Sequence, residues 1–123
     1  MMMGHVSRLH ALVPVTFRLP NRPDFAIEFV VDTGYTGSLT LPLAAIETLD
    51  LQFEYDLPAN LADDTEVLVP VYSAMILWHG VERTVRVLAM GKRPLLGTVL
   101  LADCELMARF AEDGLVTIDD LDA

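Results

Sequence analysis

The most constraining feature of the chain is a strand that ends on a carboxylate. From Phe25 to Val31 the residues Phe25, Ile27, Phe29 and Val31 fall on one face by period-two alternation, and Asp32, Thr33 and Gly34 follow directly. A carboxylate placed at the end of a buried strand is costly unless it is hydrogen-bonded or paired. Gly34 lets the backbone turn tightly and bring an N–H to that carboxylate. Thr33 is β-branched, suits an extended loop, and carries a hydroxyl that can bond nearby backbone.

The rest of the pattern is mainly β. Leu9–Leu19 predicts a strand, and the turn formers from Pro20 to Asp24 close it into a hairpin with Phe25–Val31. Ser38–Leu41 is extended. Pro42 suits the start of a short helix to Leu49, with Leu43, Ile46 and Leu49 on one face. Phe53–Leu57 predicts a weak strand, Pro58–Asp64 a polar loop, and Thr65–Leu77 a strand whose Pro70 marks an edge or bulge. His79-Gly80 is a turn, and Arg83–Ala89 a strand with Val85 and Val87 inward. Leu95–Leu101 is a buried apolar run leading into a turn or helix. Asp113-Gly114, between Glu105–Ala111 and Leu115–Ile118, is a hairpin signal, and residues from 119 to 123 are expected to fray. The fold class expected is all-β with one or two short helices, as one domain over residues 1–123.

The length of 123 residues, 53% of them hydrophobic, allows one real core. No apolar run is long enough for a membrane helix, and no signal peptide is expected. The formal net charge of −10 argues against nucleic acid and anionic membrane partners, since phosphate binding needs clustered Lys and Arg. The bland meaning of that charge is solubility; its functional meaning is a preference for basic substrates. Cys104 is the single cysteine, so no internal disulfide forms, and a cytoplasmic location is expected. Cys104 is expected to be a buried apolar residue, Trp78 a packing residue, and Met75, Met90 and Met107 core fillers. His5, His10 and His79 lack the paired spacing of a zinc site, so neither a metal nor a cofactor is expected.

Three letters are a weak motif alone. Here an apolar strand precedes Asp32-Thr33-Gly34, and a second element, Leu95-Leu96-Gly97, follows later in the chain. With these pieces the sequence resembles the retropepsin-like aspartic proteases, and the small single-domain prokaryotic members more than the viral ones. The resemblance spans roughly Ile27 to Leu101. It implies a single acid-protease lobe of β-barrel type, with a flap hairpin around Asn60–Pro70. It implies Asp32 as the catalytic carboxylate, oriented by Thr33 and Gly34, with Leu96 and Gly97 as supports beside the loop. Tyr35, Ile76 and the hairpin residues Asp63, Asp64 and Thr65 are the candidate substrate contacts. The chain departs from the viral pattern in having Tyr35 in place of Ala, Thr36 and Thr98 in place of an Asp–Arg pair, and a flap without glycine.

One Asp-Thr-Gly supplies half of the dyad that such chemistry needs. The implied enzyme is therefore a homodimer that pairs Asp32 with its symmetry mate and cuts peptide or protein substrates. The alternative is a dimer of the same fold that binds a peptide or protein without cleaving it.

Overall fold

The structure, a computed structural model, describes residues 1–121. It is mostly β-sheet with two short helices. The strands are β1 (Met2–Ser7), β2 (His10–Arg18), β3 (Phe25–Val31), β4 (Leu39–Leu41), β5 (Gln52–Asn60), β6 (Glu66–Trp78), β7 (Val81–Ala89), β8 (Leu95–Leu96), β9 (Cys104–Ala108) and β10 (Leu115–Asp120). The helices are α1 (Leu43–Leu49) and α2 (Thr98–Leu101). Among the described residues no helix is long and apolar enough to cross a membrane.

One sheet carries all ten strands in the order β5-β6-β7-β4-β8-β3-β2-β1-β10-β9, and a further pairing of β6 with β2 closes six of them into a circuit. The length of β6 makes this possible. Its first half pairs with β5, its last residues pair with β2 through Arg18↔Met75 to Thr16↔Leu77, and β7 runs along its other edge. Period-two alternation then points one face of each strand to the middle. Val13, Val15 and Phe17 of β2, Phe29 of β3, Ile76 of β6 and Val87 of β7 are fully buried there. Burying each such side chain contributes about 1.5–3 kcal/mol. Phe17 and Phe29 stack with centroids 6.0 Å apart.

The feature that positions the candidate site is a skipped place in the sheet. The chain leaves β3, makes a loop, and enters β4, but β3 and β4 are not neighbours. Strand β8 fills the place between them, parallel to β3 through Val30↔Leu95 and Val31↔Leu96, and antiparallel to β4 through Leu39↔Leu96 and Thr40↔Leu95. A two-residue strand is held so firmly because both of its edges are paired. The buried Thr40 hydroxyl also accepts the Leu95 N–H at 3.2 Å.

Several expectations are corrected. Met2–Ser7 forms β1, a strand not among the expected elements. Pro58–Asn60 belongs to β5 and not to a loop. Pro70 sits in a long internal strand, yet the β7 ladder begins one residue later at Val71↔Leu88, so its missing N–H costs no bond there. Leu43 is exposed, while Ile46 and Leu49 carry the buried face of α1. Met90 is exposed and not core. Asp113-Gly114 is not a tight two-residue turn. The β9–β10 connection runs from Arg109 to Gly114 and is anchored to β1, with the Asp113 N–H donating to Val6 and the Val6 N–H to Gly114. Asp119 and Asp120 do not fray: they pair with Glu105 and Cys104. The fraying expected for 122–123 lies outside the described residues.

Candidate active site

Strand β3 delivers Asp32 half-buried at the rim of the core, where Thr33 and Gly34 are exposed. The Asp32 amide donates to the Leu96 carbonyl at 2.9 Å, which extends the β3–β8 ladder one step past the strand. The Gly34 amide then donates to Asp32 Oδ1 at 2.9 Å, and the Tyr35 amide to the Asp32 carbonyl at 3.2 Å. A β-carbon on residue 34 would sit 3.2 Å from that same Oδ1. Glycine therefore leaves the carboxylate both its donor and its room. That backbone N–H, aimed at a carboxylate oxygen, holds the side chain in one orientation.

The far limb of the loop is pinned by the segment after β8. The Gly97 amide donates to Ser38 at 2.8 Å, the Thr98 amide to Tyr35 at 2.9 Å, and the Val99 amide to Gly37 at 3.1 Å. The Thr98 hydroxyl adds a long bond to the Tyr35 carbonyl at 3.4 Å. So Thr36 and Thr98 divide: Thr98 braces the loop backbone, while Thr36 is exposed and lines a groove. Gly97 is required sterically. A β-carbon there would overlap the Gly37 carbonyl and sit 2.6 and 2.7 Å from Tyr35 ring and backbone atoms.

Tyr35 folds back over this crossing. Its ring packs on Gly97, and its hydroxyl lies where a side chain on Gly37 would go. That hydroxyl is buried without a hydrogen-bond partner, and desolvation raises its pKa above the ordinary tyrosine value. The tyrosine does not block the face of the loop. It forms one wall of a groove of about 610 Å³ that continues along Thr36, Gly37 and Ser38. The opposite wall comes from Tyr55 and Leu57 of β5 and from Arg83 to Arg86 of β7.

The β5–β6 hairpin thus contributes to the groove through Tyr55 and Leu57 of β5 and not through its tip. Asp63, Asp64 and Thr65, expected to touch substrate, do not line the groove. They close the hairpin: Leu61 donates to Thr65 at 2.8 Å, and the Thr65 amide to Asp63 Oδ1 at 3.0 Å. Hydrogen bonds from Thr65 hold the Asp63 carboxyl below its ordinary pKa. Asp64 takes φ of 64°, the left-handed position that a flap glycine would occupy. Ile76 is also corrected, since it is fully buried in the core and unavailable to a substrate.

Sequence reasoning missed Tyr55, Leu57, Arg83 and Arg86. The exposed face of β5 carries both aromatic and polar residues, so alternation gives no signal there. The expectation of a preference for basic substrates does not suit this groove. Its charged lining residues are Arg83 and Arg86, and Arg86 lies 5.4 Å from the Tyr55 ring centroid. No family model matches the chain, and no curated protein matches it.

Proposed function

We propose that the protein is an aspartic endopeptidase of retropepsin-like architecture, acting as a homodimer with one Asp32 from each protomer. The observation that carries this reading is the clamped loop. A carboxylate at the end of β3 takes a backbone N–H from Gly34 at 2.9 Å, while Leu96 and Gly97 cross beside it and hold the loop from behind. The closed circuit of six strands that frames the loop supports the reading of a single all-β lobe.

In this reading two Asp32 carboxylates meet across a two-fold axis around one water. Like charges about 3 Å apart do not both ionise, so the pair holds one proton. The ionised member takes a proton from the water as it attacks the scissile carbonyl carbon. The protonated member hydrogen-bonds the carbonyl oxygen as negative charge builds on it, then the proton passes to the leaving amine. Thr33, exposed on the loop, would bond to the partner loop in this reading. An extended peptide lies in the groove between Tyr35 and the β5 strand, with main-chain bonds to the hairpin. The two arginines make acidic or neutral side chains the fitting occupants of that part of the groove.

A second reading, a dimer that binds peptides without cutting them, is favoured by one observation. The hairpin tip is closed by its own hydrogen bonds and contains no glycine to serve as a hinge. Incubation with an unstructured mixed-sequence protein, beside Asp32→Ala, separates the two. Cleavage that disappears in the variant supports the protease, and binding without cleavage in both supports the binding dimer.

A further inference from the structure

Away from the Asp32 loop, three side chains from separate parts of the chain converge. His79 lies in the β6–β7 turn, Cys104 opens β9 and Asp120 closes β10. His79 Nε2 is 3.4 Å from Asp120 Oδ1, Cys104 Sγ is 3.7 Å from the same oxygen, and Sγ is 4.0 Å from Nε2. Around a tetrahedral zinc ion, with bonds of about 2.0–2.3 Å, any two ligand atoms stand roughly 3.3–3.7 Å apart. The triangle matches that spacing on two edges and exceeds it by a few tenths of an ångström on the third.

We propose that His79 Nε2, Cys104 Sγ and Asp120 Oδ1 form a three-ligand site for a divalent transition-metal ion of the zinc type, with the fourth position open to water or an added ligand. Imidazole and thiolate select such an ion over magnesium or calcium, and thiolate plus carboxylate balance its double charge. Cys104 and Asp120 are direct cross-strand partners, so the β9–β10 ladder sets both on one face. The His79 side chain is 12% exposed and Asp120 53%, which leaves an entry path on the aspartate side. His79 also occupies a place in its turn that the turn does not explain. Its φ is 51° and that of Gly80 is 77°, a conformation in which Asn, Asp or Gly is the usual first residue.

A cysteine nucleophile is the competing use of these residues, and the geometry disfavours it. A relay needs the carboxylate on one imidazole nitrogen and the thiol on the other. Here both approach Nε2. The bound ion would tie the β9–β10 hairpin to the β6–β7 turn, and it takes no part in the chemistry proposed for Asp32.

The test uses untagged, reduced, chelator-stripped protein. Zinc is titrated against a chromogenic chelator, and cobalt(II) is added for its absorption spectrum. The expected result is one ion per chain, a cobalt–thiolate charge-transfer band, and quenching of Trp78 by cobalt but not by zinc. Trp78 is the chain's single tryptophan, and its ring lies 5.4 Å from that of His79. Cys104→Ser and His79→Asn are each expected to weaken binding at least about 100-fold, since loss of mere supporting residues already costs 10–100-fold. Asp113→Asn, an acidic change elsewhere, is expected to leave binding unchanged. Urea midpoints of the metal-free proteins show that the variants fold. Equal zinc affinity in native protein and Cys104→Ser, or cobalt bound without the thiolate band, would overturn the proposal in favour of scattered surface carboxylates.

Discussion

The Asp32 amide donates to the Leu96 carbonyl at 2.9 Å, so the residue that carries the candidate chemistry is also the last rung of a parallel ladder. Its position is therefore set by packing behind it. Leu96 is fully buried, and Gly97, next in sequence, makes the closest approach to the loop.

Gly97→Ala tests that support. The added methyl meets the Gly37 carbonyl and Tyr35, and backbone atoms paired on both sides cannot yield cheaply. Overpacking of this kind costs about 1–3 kcal/mol. The urea midpoint is expected to fall by the corresponding amount with an unchanged slope, and peptide cleavage to fall with it. An unchanged midpoint would show that the crossing is looser than described.

Tyr35→Phe has the opposite sign. The Tyr35 hydroxyl is buried without a partner, which costs about 1–3 kcal/mol while the ring keeps its packing. The phenylalanine variant is expected to be the more stable by urea denaturation. The alkaline limb gives a second check. Desolvation raises the folded pKa above the ordinary value of 10.0. Above that value the unfolded chain releases the proton first, so stability is full below it and is lost as pH rises. Denaturation measured upward from that pH is expected to show a steeper loss in the native protein than in Tyr35→Phe. Equal slopes would place the hydroxyl in water.

The groove's charge predicts substrate choice. With Arg83 and Arg86 in its wall, a peptide carrying Glu is expected to be cleaved several-fold faster than its Lys counterpart. Arg83→Glu with Arg86→Glu is expected to reverse that order, read as kcat/KM on the matched pair. No change in the ratio would move the substrate elsewhere.

Much of this was legible in the chain. The alternation toward Phe29 and Val31 located β3 and Asp32, although Phe25 at its start is exposed, and Pro42 marked the start of α1. Val85 and Val87 are buried, with Thr84 and Arg86 exposed, as the strand pattern requires. What escaped depends on contacts distant in sequence. The extended segment Ser38–Leu41 holds β4, but its place between β7 and β8 has no local signal in three fully buried residues. The Asp113-Gly114 turn is shaped by β1, not by its own two residues. The approach of Cys104 to His79 and Asp120 joins residues 25 and 16 apart, which no local spacing rule detects. Tyr35 was identifiable as a departure, but only the crossing of Gly97 explains how a large ring fits there.

The proposed dyad also predicts a linkage to assembly. Two carboxylates brought together at the interface repel unless they share a proton. Asp32→Asn is therefore expected to tighten the dimer at neutral pH, measured by sedimentation equilibrium over a dilution series. Unchanged association would indicate that Asp32 does not face its mate.

The most direct measurement is cleavage of an unstructured mixed-sequence protein across about pH 3.5–7.5, a range that spans the titration of a coupled carboxylate pair. Native protein and Asp32→Ala are compared at concentrations where the dimer is shown to form. The account predicts cleavage by the native protein and a loss of about 10²-fold or more in the variant. Cleavage that survives in Asp32→Ala, or none by the native dimer at any pH, would contradict it.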